Sequence, residues 1–546
     1  MPVNAQRALR SIYIAAALVA VASGCRSSTG DGLPSATSSP EEPRPGGTIV
    51  VSLGEPLCMD WYTGCGSGNN GVIVHQTLPS PIAFFDGQYR VTPLLAGEPT
   101  VEAGPPQRVT YRINPQAMWS DGAPITSSDF KYTWEQARGI NARGMGDIAA
   151  VDAADPRVAV VTWREPNATW QERFRPILPR HLLEGRDRNT EMKDGYRFSG
   201  GPWMVDHWTK GQEFMLVRNP RYWAKQPYLD AIVGKVIPDR SAVHQAYKSG
   251  QLDMFAGGLA DPGIEEMKGL LDTGFADIPT LSYSFIAFNT QSPPLDRKPV
   301  RQALGYATDR DALATQLQGQ LRPGIRPLQS LVSTANPMWA SDAFARYRRD
   351  LNKVTELMRG DGWSRGADGV WARGGVRAQV EFLTDANLHF HTLVAQILQS
   401  QWREAGFDLS VKTATAQAIN GDLLPKGNYQ AAFTGSGVVT SDPGQCVRFC
   451  SKNVPSESTR FTGGNITRIS NPVLDDVWGR VDAELDTTKR LDLVRRGHET
   501  LAEEAPVLPM LTIVEVYVFN SRMLGGPVAA GPHAYLSEWF CRTVCG

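Results

Sequence analysis

The chain has 546 residues, with 55 Lys and Arg against 56 Asp and Glu, and its formal net charge is −1. This balance leaves no excess of positive charge with which the chain could bind nucleic acid or an anionic membrane surface. Hydrophobic residues make up 42% of the sequence and charged residues 20%, so the chain is expected to fold. At roughly 150 residues per domain, its length predicts three or four domains.

The N-terminal residues have the features of a bacterial export signal. Arg7 and Arg10 precede an apolar run over residues 12–22, which is too short to span a membrane and fits a signal sequence. The run ends in small residues before Cys25 and resembles the bacterial lipoprotein box. We expect a signal peptide over residues 1–24, acylation of Cys25 with a lipid such as palmitate, and a flexible tether over residues 25–46. An ordinary secretory signal with an incidental cysteine is the alternative.

Predicted strands and helices alternate along the rest of the chain. Runs rich in β-branched and aromatic residues predict strands at 47–53, 108–113, 158–163, 214–218, 231–237 and 285–289. Polar caps and apolar stripes predict helices at 130–138, 300–318 with a polar break at Asp309, 388–405, from 472 onward, and 490–505. This alternation, with no repeat of fixed period, predicts a multi-domain α/β and α+β protein.

Six further cysteines form three close pairs separated by long cysteine-free stretches. They are Cys58 and Cys65, Cys446 and Cys450, and Cys541 and Cys545. Tight clusters in an exported chain favour three local disulfides, formed in an oxidising compartment. Zinc is the rival interpretation, but these spacings lack paired CxxC knuckles and no histidine lies in register beside them.

Residues 94–137 carry the most specific motif, in which Trp119-Ser120-Asp121-Gly122 is followed by Pro124, Thr126 and Asp129. Asp121 and Gly122 predict a tight turn, and Asp129 lies where it can cap the next helix. The segment resembles the WSDGxPxTAxDV signature of family 5 solute-binding proteins, the peptide-type binding components of ABC importers. The motif is a folding device and does not name a ligand.

Three more segments match that family in the same order. Gly201-Pro202-Trp203 resembles its SGPY segment, and Asn219, Pro220, Tyr222 and Trp223 resemble its NPxYW segment. Residues 249–253 resemble its SGEID turn. Residues 288–313 resemble its FNxxxPPFxDxxVRxALxYAIDR region, including Arg301, Ala303, Leu304, Tyr306, Ala307, Asp309 and Arg310. The resemblance extends over nearly all of the chain after the tether.

The family resemblance implies a two-lobed periplasmic-binding-protein clamp with an extra domain, of the class II, cluster C type. It places domain I at residues 47–84, 199–283 and 505–546, domain II at 85–198, and domain III at 284–504, with hinge crossings near Tyr283 and Glu504. A monomer on the extracytoplasmic face would capture an oligopeptide or peptide-like solute in the cleft and pass it to ABC permease subunits. The membrane would be reached only through the lipid anchor, and neither a cofactor nor catalysis is expected.

The resemblance also indicates candidate ligand contacts. Peptide-binding members often carry an Asp-Tyr-x-Asp-Pro stretch whose first acid pairs with the ligand amine. Here Val439 takes the place of that acid, and Asp442 matches the second acid, either as an amine clamp or as a turn residue. The preceding strand, with Gly435 and Gly437, could pair with a peptide backbone. Trp61 and Tyr283 are further candidates, and core packing is the alternative for each aromatic residue.

Other functions remain open on weaker signals. A non-peptide solute is the main alternative, as an oligosaccharide, a glycolipid precursor or a metal chelate. His389 and His391 would share one face of a strand and could bind metal, although solvated histidines are the simpler interpretation. The GxGxxG pattern at residues 66–71 lies beside Cys65, without the flanking strand and helix of a nucleotide site. Because no nucleophile motif occurs, an extracellular hydrolase is the least favoured alternative.

Overall fold

The computed structural model describes residues 43–546 except for Leu57, 63–69, 86–87, Asn141, Arg143, 259–260, 320–321, 386–387, 436–440, 527–535, Val544 and Gly546. In chain order the strands are β1 Thr48–Ser52, β2 Ile82–Phe85, β3 Gln88–Val91, β4 Thr100–Glu102, β5 Arg108–Arg112, β6 Ile148–Asp155, β7 Val158–Trp163, β8 Trp203–Thr209, β9 Glu213–Arg218, β10 Ala231–Lys235, β11 Met254–Gly258, β12 Thr273–Phe288, β13 Ser364–Arg365, β14 Trp371–Arg373, β15 Val376–Arg377, β16 Gln379–Asp385, β17 Asp408–Ala414, β18 Ala431–Gly435, β19 Val507–Asn520, β20 Leu524–Gly525 and β21 Phe540–Cys541.

The helices are α1 Asn70–Thr77, α2 Ser127–Gly139, α3 Arg180–Leu183, α4 Arg188–Glu191, α5 Arg240–Lys248, α6 Pro262–Met267, α7 Lys298–Ala307, α8 Arg310–Gln318, α9 Leu351–Gly360, α10 His389–Glu404, α11 Ala416–Ala418, α12 Leu424–Lys426, α13 Cys446–Phe449, α14 Pro472–Ala483 and α15 Thr487–Glu504. Short 3-10 turns and one π-helical turn at Ile419–Leu423 connect some of them. None of the described helices is long and apolar enough to cross a bilayer.

Two long strands, β12 and β19, form the centre of the main sheet. They pair antiparallel from Thr273 and Asn520 at one end to Ala287 and Val507 at the other, with irregular register around Tyr283. One end of the pair continues through β18, β16 and β17, and the other through β11, β1, β10, β9 and β8. A single sheet of described strands is therefore shared between two halves of the protein, and β12 and β19 cross between them.

The buried side chains form separate cores on the two sides of this crossing. One core is built from residues 283–511. The largest core on the other side joins the β1 half of the main sheet to the four-stranded sheet β4-β5-β7-β6. We call residues 43–278 and 514–545 lobe 1, and residues 283–511 lobe 2. The fold is a mixed α/β two-lobed clamp, as expected, while the division of lobe 1 into domains I and II stays a prediction.

Most predicted elements form, and the differences have local causes. The N-cap of helix α2 is Thr126 and not Asp129, so the cap lies three residues before the predicted one, and Asp129 completes a capping box with Thr126. The run at 300–318 is divided into α7 and α8 because the Asp309 side chain caps α8. His389 and His391 lie in α10 and not on a strand. The predicted placement of the two histidines on one face of a strand is therefore wrong.

The family motifs hold the backbone together, as the sequence indicated. Gly122 has φ of +94° in a turn whose Asp121 side chain accepts the N–H of Ala123 at 2.9 Å. Asn219 is fully buried, and its side chain donates to the carbonyl of Gly201 at 2.9 Å, which connects two of the motif segments. These residues therefore stabilise the fold.

Two of the predicted cysteine pairs lie at disulfide-bonding distance. The Cα atoms of Cys446 and Cys450 are 4.7 Å apart, and those of Cys541 and Cys545 are 5.8 Å apart. In the third predicted pair, Cys65 lies outside the described residues, as does Cys25, the predicted lipidation site. The pairing of Cys58 with Cys65 therefore stays a prediction.

Candidate binding cleft

The two lobes meet through polar contacts between residues far apart in the sequence. The hydroxyl of Tyr89 donates to Glu172 Oε1 at 2.7 Å, and the backbone N–H of Ser441 donates to the same oxygen at 3.1 Å. The Ser441 hydroxyl also hydrogen-bonds to that of Tyr89. A second contact joins the N–H of Ala168 to the carbonyl of Asp482 at 3.1 Å. We call Tyr89, Glu172 and Ser441 the interlobe contact, because it joins lobe 1 to lobe 2.

The protonation state of Tyr89 is consistent with its role as the donor in this contact. Burial, reinforced by the nearby charge of Glu172, raises the pKa of the Tyr89 phenol. The hydroxyl therefore keeps its proton and can act as the donor to the carboxylate. A hydrogen bond to a charged acceptor is among the stronger polar interactions in proteins.

Asp442 lies next to this contact and is paired within lobe 2. Its Oδ1 accepts from Arg490 at 2.8 Å and from the N–H of Gly444 at 2.7 Å. Burial raises the pKa of Asp442, while the charge of Arg490 opposes the shift. Both hydrogen bonds favour the interpretation of Asp442 as a turn residue. Its role as an amine clamp stays a prediction.

Strand β18 ends at the lobe boundary with part of its backbone unpaired on one side. Its ladder with β12 continues to Gly435, whereas its ladder with β16 includes only Ala431 and Ala432. In the described structure, the β16 side of Thr434 and Gly435 therefore has no strand partner. Gly437 and Val439, the other predicted backbone contacts, lie outside the described residues.

The candidate aromatic residues differ in exposure. Tyr283 lies on the irregular part of β12 and is 4% exposed. Its hydroxyl donates to Gln445 Oε1 at 3.4 Å. This burial favours a packing role for Tyr283, and its ligand contact stays a prediction. Trp61 is half-buried and packs against His75 with ring centroids 4.7 Å apart and the ring planes tilted by 59°. It therefore keeps part of its surface available.

A buried ion pair anchors the segment that contains Trp61. Asp60 and Arg188 are joined at 2.6 Å, and both side chains are less than a tenth exposed. The next residue but one, Tyr62, donates from its N–H to Asp60 Oδ1 at 3.1 Å and from its hydroxyl to the carbonyl of Pro176 at 2.5 Å. These bonds fasten the loop after β1 to the segment that follows Glu172.

The sequence did not single out Tyr89, Glu172, Arg490 or the segment before Pro176. None of them belongs to a motif, and their partners are up to 352 positions away. A local signal that could have drawn attention to this surface is the basic, proline-containing run at residues 173–176. No group of three or more potential metal ligands occurs among the described residues.

Comparisons with known proteins agree with this architecture. A family model described as bacterial extracellular solute-binding proteins, family 5, middle, matches residues 90–456. Oligopeptide-binding protein OppA of Bacillus subtilis (strain 168) is 23% identical over 450 residues, which cover 76% of this chain and 78% of that protein.

Two solved structures are similar over most of their length. The periplasmic EDTA-binding protein EppA has a TM-score of 0.80 at 20% identity, over 92% of this chain and 98% of that chain. Oligopeptide-binding protein AppA from Bacillus subtilis, in complex with a nonapeptide, has a TM-score of 0.73 at 18% identity, over 92% of this chain and all of that chain. The family model matches more than half of the chain, which therefore belongs to family 5 of the bacterial extracellular solute-binding proteins, the binding components of ABC importers.

Proposed function

We propose that this family 5 protein captures oligopeptides or peptide-like solutes between its lobes and delivers them to ABC permease subunits. The observation that carries the proposal is that, among the described strands, none pairs with the β16 side of Thr434 and Gly435 at the lobe boundary. An extended peptide can add to such a strand through main-chain hydrogen bonds, whatever its side chains. The similar proteins named for oligopeptides support the same ligand class.

A metal chelate or another small non-peptide solute is the second candidate. It is favoured by the likeness to the EDTA-binding protein, whose TM-score is higher than that of the peptide-bound structure. The two candidates differ in what they require. A peptide uses the backbone of β18, whereas a chelate of this kind requires positively charged or hydrogen-donating side chains around several carboxylates.

Identification of the natural cargo separates the two candidates. The protein would be purified without denaturation from its native host, washed, denatured, and the released small molecules analysed by mass spectrometry. Amide-linked species are expected. A released saccharide or metal chelate, with no peptide, would overturn the peptide assignment.

We further propose that acylated Cys25 anchors the protein and that residues 25–46 act as its tether, with the three cysteine pairs oxidised. The proposed domain boundaries are those given above, with β12 and β19 as the hinge strands and a monomer as the functional unit.

Cys25→Ala should release the protein from membranes into the soluble extracytoplasmic fraction. Undiminished membrane retention of that variant would contradict the anchor.

A further inference from the structure

The acids near the lobe boundary are already bonded to donors of the protein. Asp442 accepts from Arg490 and Gly444, and Glu172 accepts from Tyr89 and Ser441. The buried carboxylate of Asp60 is likewise paired, with Arg188. A ligand ammonium would have to compete with these bonds, so these carboxylates are poorly suited to hold a cation.

Arg175 is different from its charged neighbours. It follows Glu172 of the interlobe contact by three residues and precedes Pro176, whose carbonyl is bonded by Tyr62. The residue is half-buried. Within the described part of the chain its guanidinium has neither a hydrogen bond nor a carboxylate oxygen within 4.0 Å, although the charge of Glu172 acts on it from further away.

A partly desolvated cation without a hydrogen-bonded partner is unfavourable. Burial lowers the pKa of Arg175 because it disfavours the charged form of the guanidinium. An arginine side chain nevertheless keeps its charge in proteins. An incoming anion would reduce the penalty by supplying hydrogen-bond acceptors to the guanidinium. The planar guanidinium can donate two parallel hydrogen bonds to one carboxylate.

We propose that Arg175 is a ligand-binding residue that receives a carboxylate of the solute in the interlobe cleft. The inference rests on the proposed function in placing the solute between the lobes, and it adds the ligand group that is recognised. The carboxylate could be the C-terminus of a peptide, an acidic side chain or part of a chelate. In each case the solute is held by its negative group and does not need a free amine.

The test uses an equimolar library of N-acetylated pentapeptides, prepared both as free acids and as C-terminal amides. Pure protein is incubated with the library, filtered, and the retained peptides are quantified by mass spectrometry. The wild type should retain free acids at least about ten-fold more than neutral amides. Amides that contain Asp or Glu report whether an acidic side chain can replace the C-terminus.

Variants assign the preference to Arg175. Arg175→Gln should lower the ratio of acid to amide to about one, and Arg175→Lys, which keeps the charge, should restore part of it. Arg186→Gln is the matched control, because that arginine is exposed and lies in the same lobe. An unchanged preference in Arg175→Gln, or no preference in the wild type, would overturn the proposal. Circular dichroism confirms that each variant is folded.

A second probe separates this proposal from the assignment of peptides. If the wild type retains no peptide but binds ferric EDTA, the peptide function fails. Loss of ferric EDTA affinity by about ten-fold or more in Arg175→Gln would then still support the carboxylate site. Unchanged affinity for ferric EDTA in that variant would refute the site, and a wild type that binds neither probe would contradict both proposals.

Discussion

The carboxylate of Asp442 and the guanidinium of Arg490 lie 2.8 Å apart, and each side chain is only about 10% exposed. Arg490 is itself fixed, because its Nε donates to the carbonyl of Val481 at 2.8 Å and its guanidinium lies 5.3 Å from the Trp339 ring centroid. Removal of one member of a buried pair leaves the other charge uncompensated. Release of Asp442 to bind a ligand amine would therefore be costly.

This pairing predicts that a free N-terminus contributes little to binding. A peptide found as natural cargo and its N-acetylated form should differ in Kd by less than about ten-fold, or ~1.4 kcal/mol. Asp442→Asn should leave that difference unchanged. Isothermal titration calorimetry on the two peptides and two proteins measures it. A larger effect of acetylation, abolished by Asp442→Asn, would identify Asp442 as the amine clamp.

The interlobe contact predicts a role for Tyr89 in closing the clamp. Tyr89→Phe removes the hydroxyl that donates to Glu172 at 2.7 Å, a bond to a charged acceptor worth about 1.5–3 kcal/mol. The ligand-free variant should therefore populate more open forms and show a larger radius of gyration in small-angle X-ray scattering. Tyr429→Phe is the control, because its hydroxyl bonds within lobe 2 to the carbonyl of Ile466. Identical scattering of Tyr89→Phe and wild type would rule out this role.

The unpaired side of β18 predicts that a side chain at Gly435 blocks the ligand. A Cβ there would lie 3.4 Å from Ile513 Cδ1, an ordinary contact that the fold should tolerate. Gly435→Val should weaken peptide binding by roughly ten-fold or more while the thermal midpoint changes little. Gly97→Val, at an exposed glycine where no atom of the described residues lies within 4 Å of the added Cβ, serves as the control. Full affinity in Gly435→Val would argue against backbone recognition at this strand.

The cysteine pairs predict a modest contribution to stability. Cys446 and Cys450 are separated by four positions, and a loop this short limits the loss of chain entropy on cross-linking to about 2 kcal/mol. The Cys446→Ser, Cys450→Ser double variant should lower the free energy of unfolding by about that amount in denaturant titration. Non-reducing mass mapping should join each close pair, including Cys58 with Cys65. Free thiols in the native protein would contradict the disulfides.

The sequence was sufficient for the fold where structure depends on short-range chemistry. The turn at Gly122, the cap at Asp309 and the helix after Asn471 each depend on neighbouring residues, so a local pattern identifies them. Strand β12 was harder to predict from the sequence. Its register is irregular between Pro279 and Tyr283, and proline interrupts the pattern expected of a central strand. The sequence therefore predicted only the last part of that strand.

The candidate site could not be predicted in the same way. Glu172 and Ser441 are 269 positions apart, and nothing in either segment indicates the other. The contact between them depends on the tertiary structure, in which β12 and β19 connect lobe 1 to lobe 2. Arg175 is recognisable only once its surroundings are known, because the feature that sets it apart is the lack of a hydrogen-bonded partner in the described part of the chain, and not a motif.

A buried histidine in lobe 2 predicts loss of stability in mild acid. His498 is fully buried, its Nδ1 lies 3.1 Å from Ser341 Oγ, and its Nε2 has no hydrogen-bond partner among the residues that the structure describes. Burial lowers its pKa to about 3, whereas an unfolded histidine titrates near 6.5. Between these values the unfolded chain binds a proton that the folded chain excludes. The stability contributed by the neutral imidazole is thus complete above about pH 6.5 and decreases as the pH falls towards 3.

The effect of His498 can be separated from that of other titrating groups by comparing pH dependences. From this residue alone, the free energy of unfolding should be about 2 kcal/mol lower at pH 5.0 than at pH 7.5. The glutamine of His498→Gln cannot titrate, so the free energy of unfolding of this variant should fall less between pH 7.5 and pH 5.0. The variant is expected to be less stable than the wild type at both pH values. Guanidinium denaturation of both proteins at the two pH values measures the difference. Equal pH dependence of the two proteins would show that His498 is not held neutral by burial.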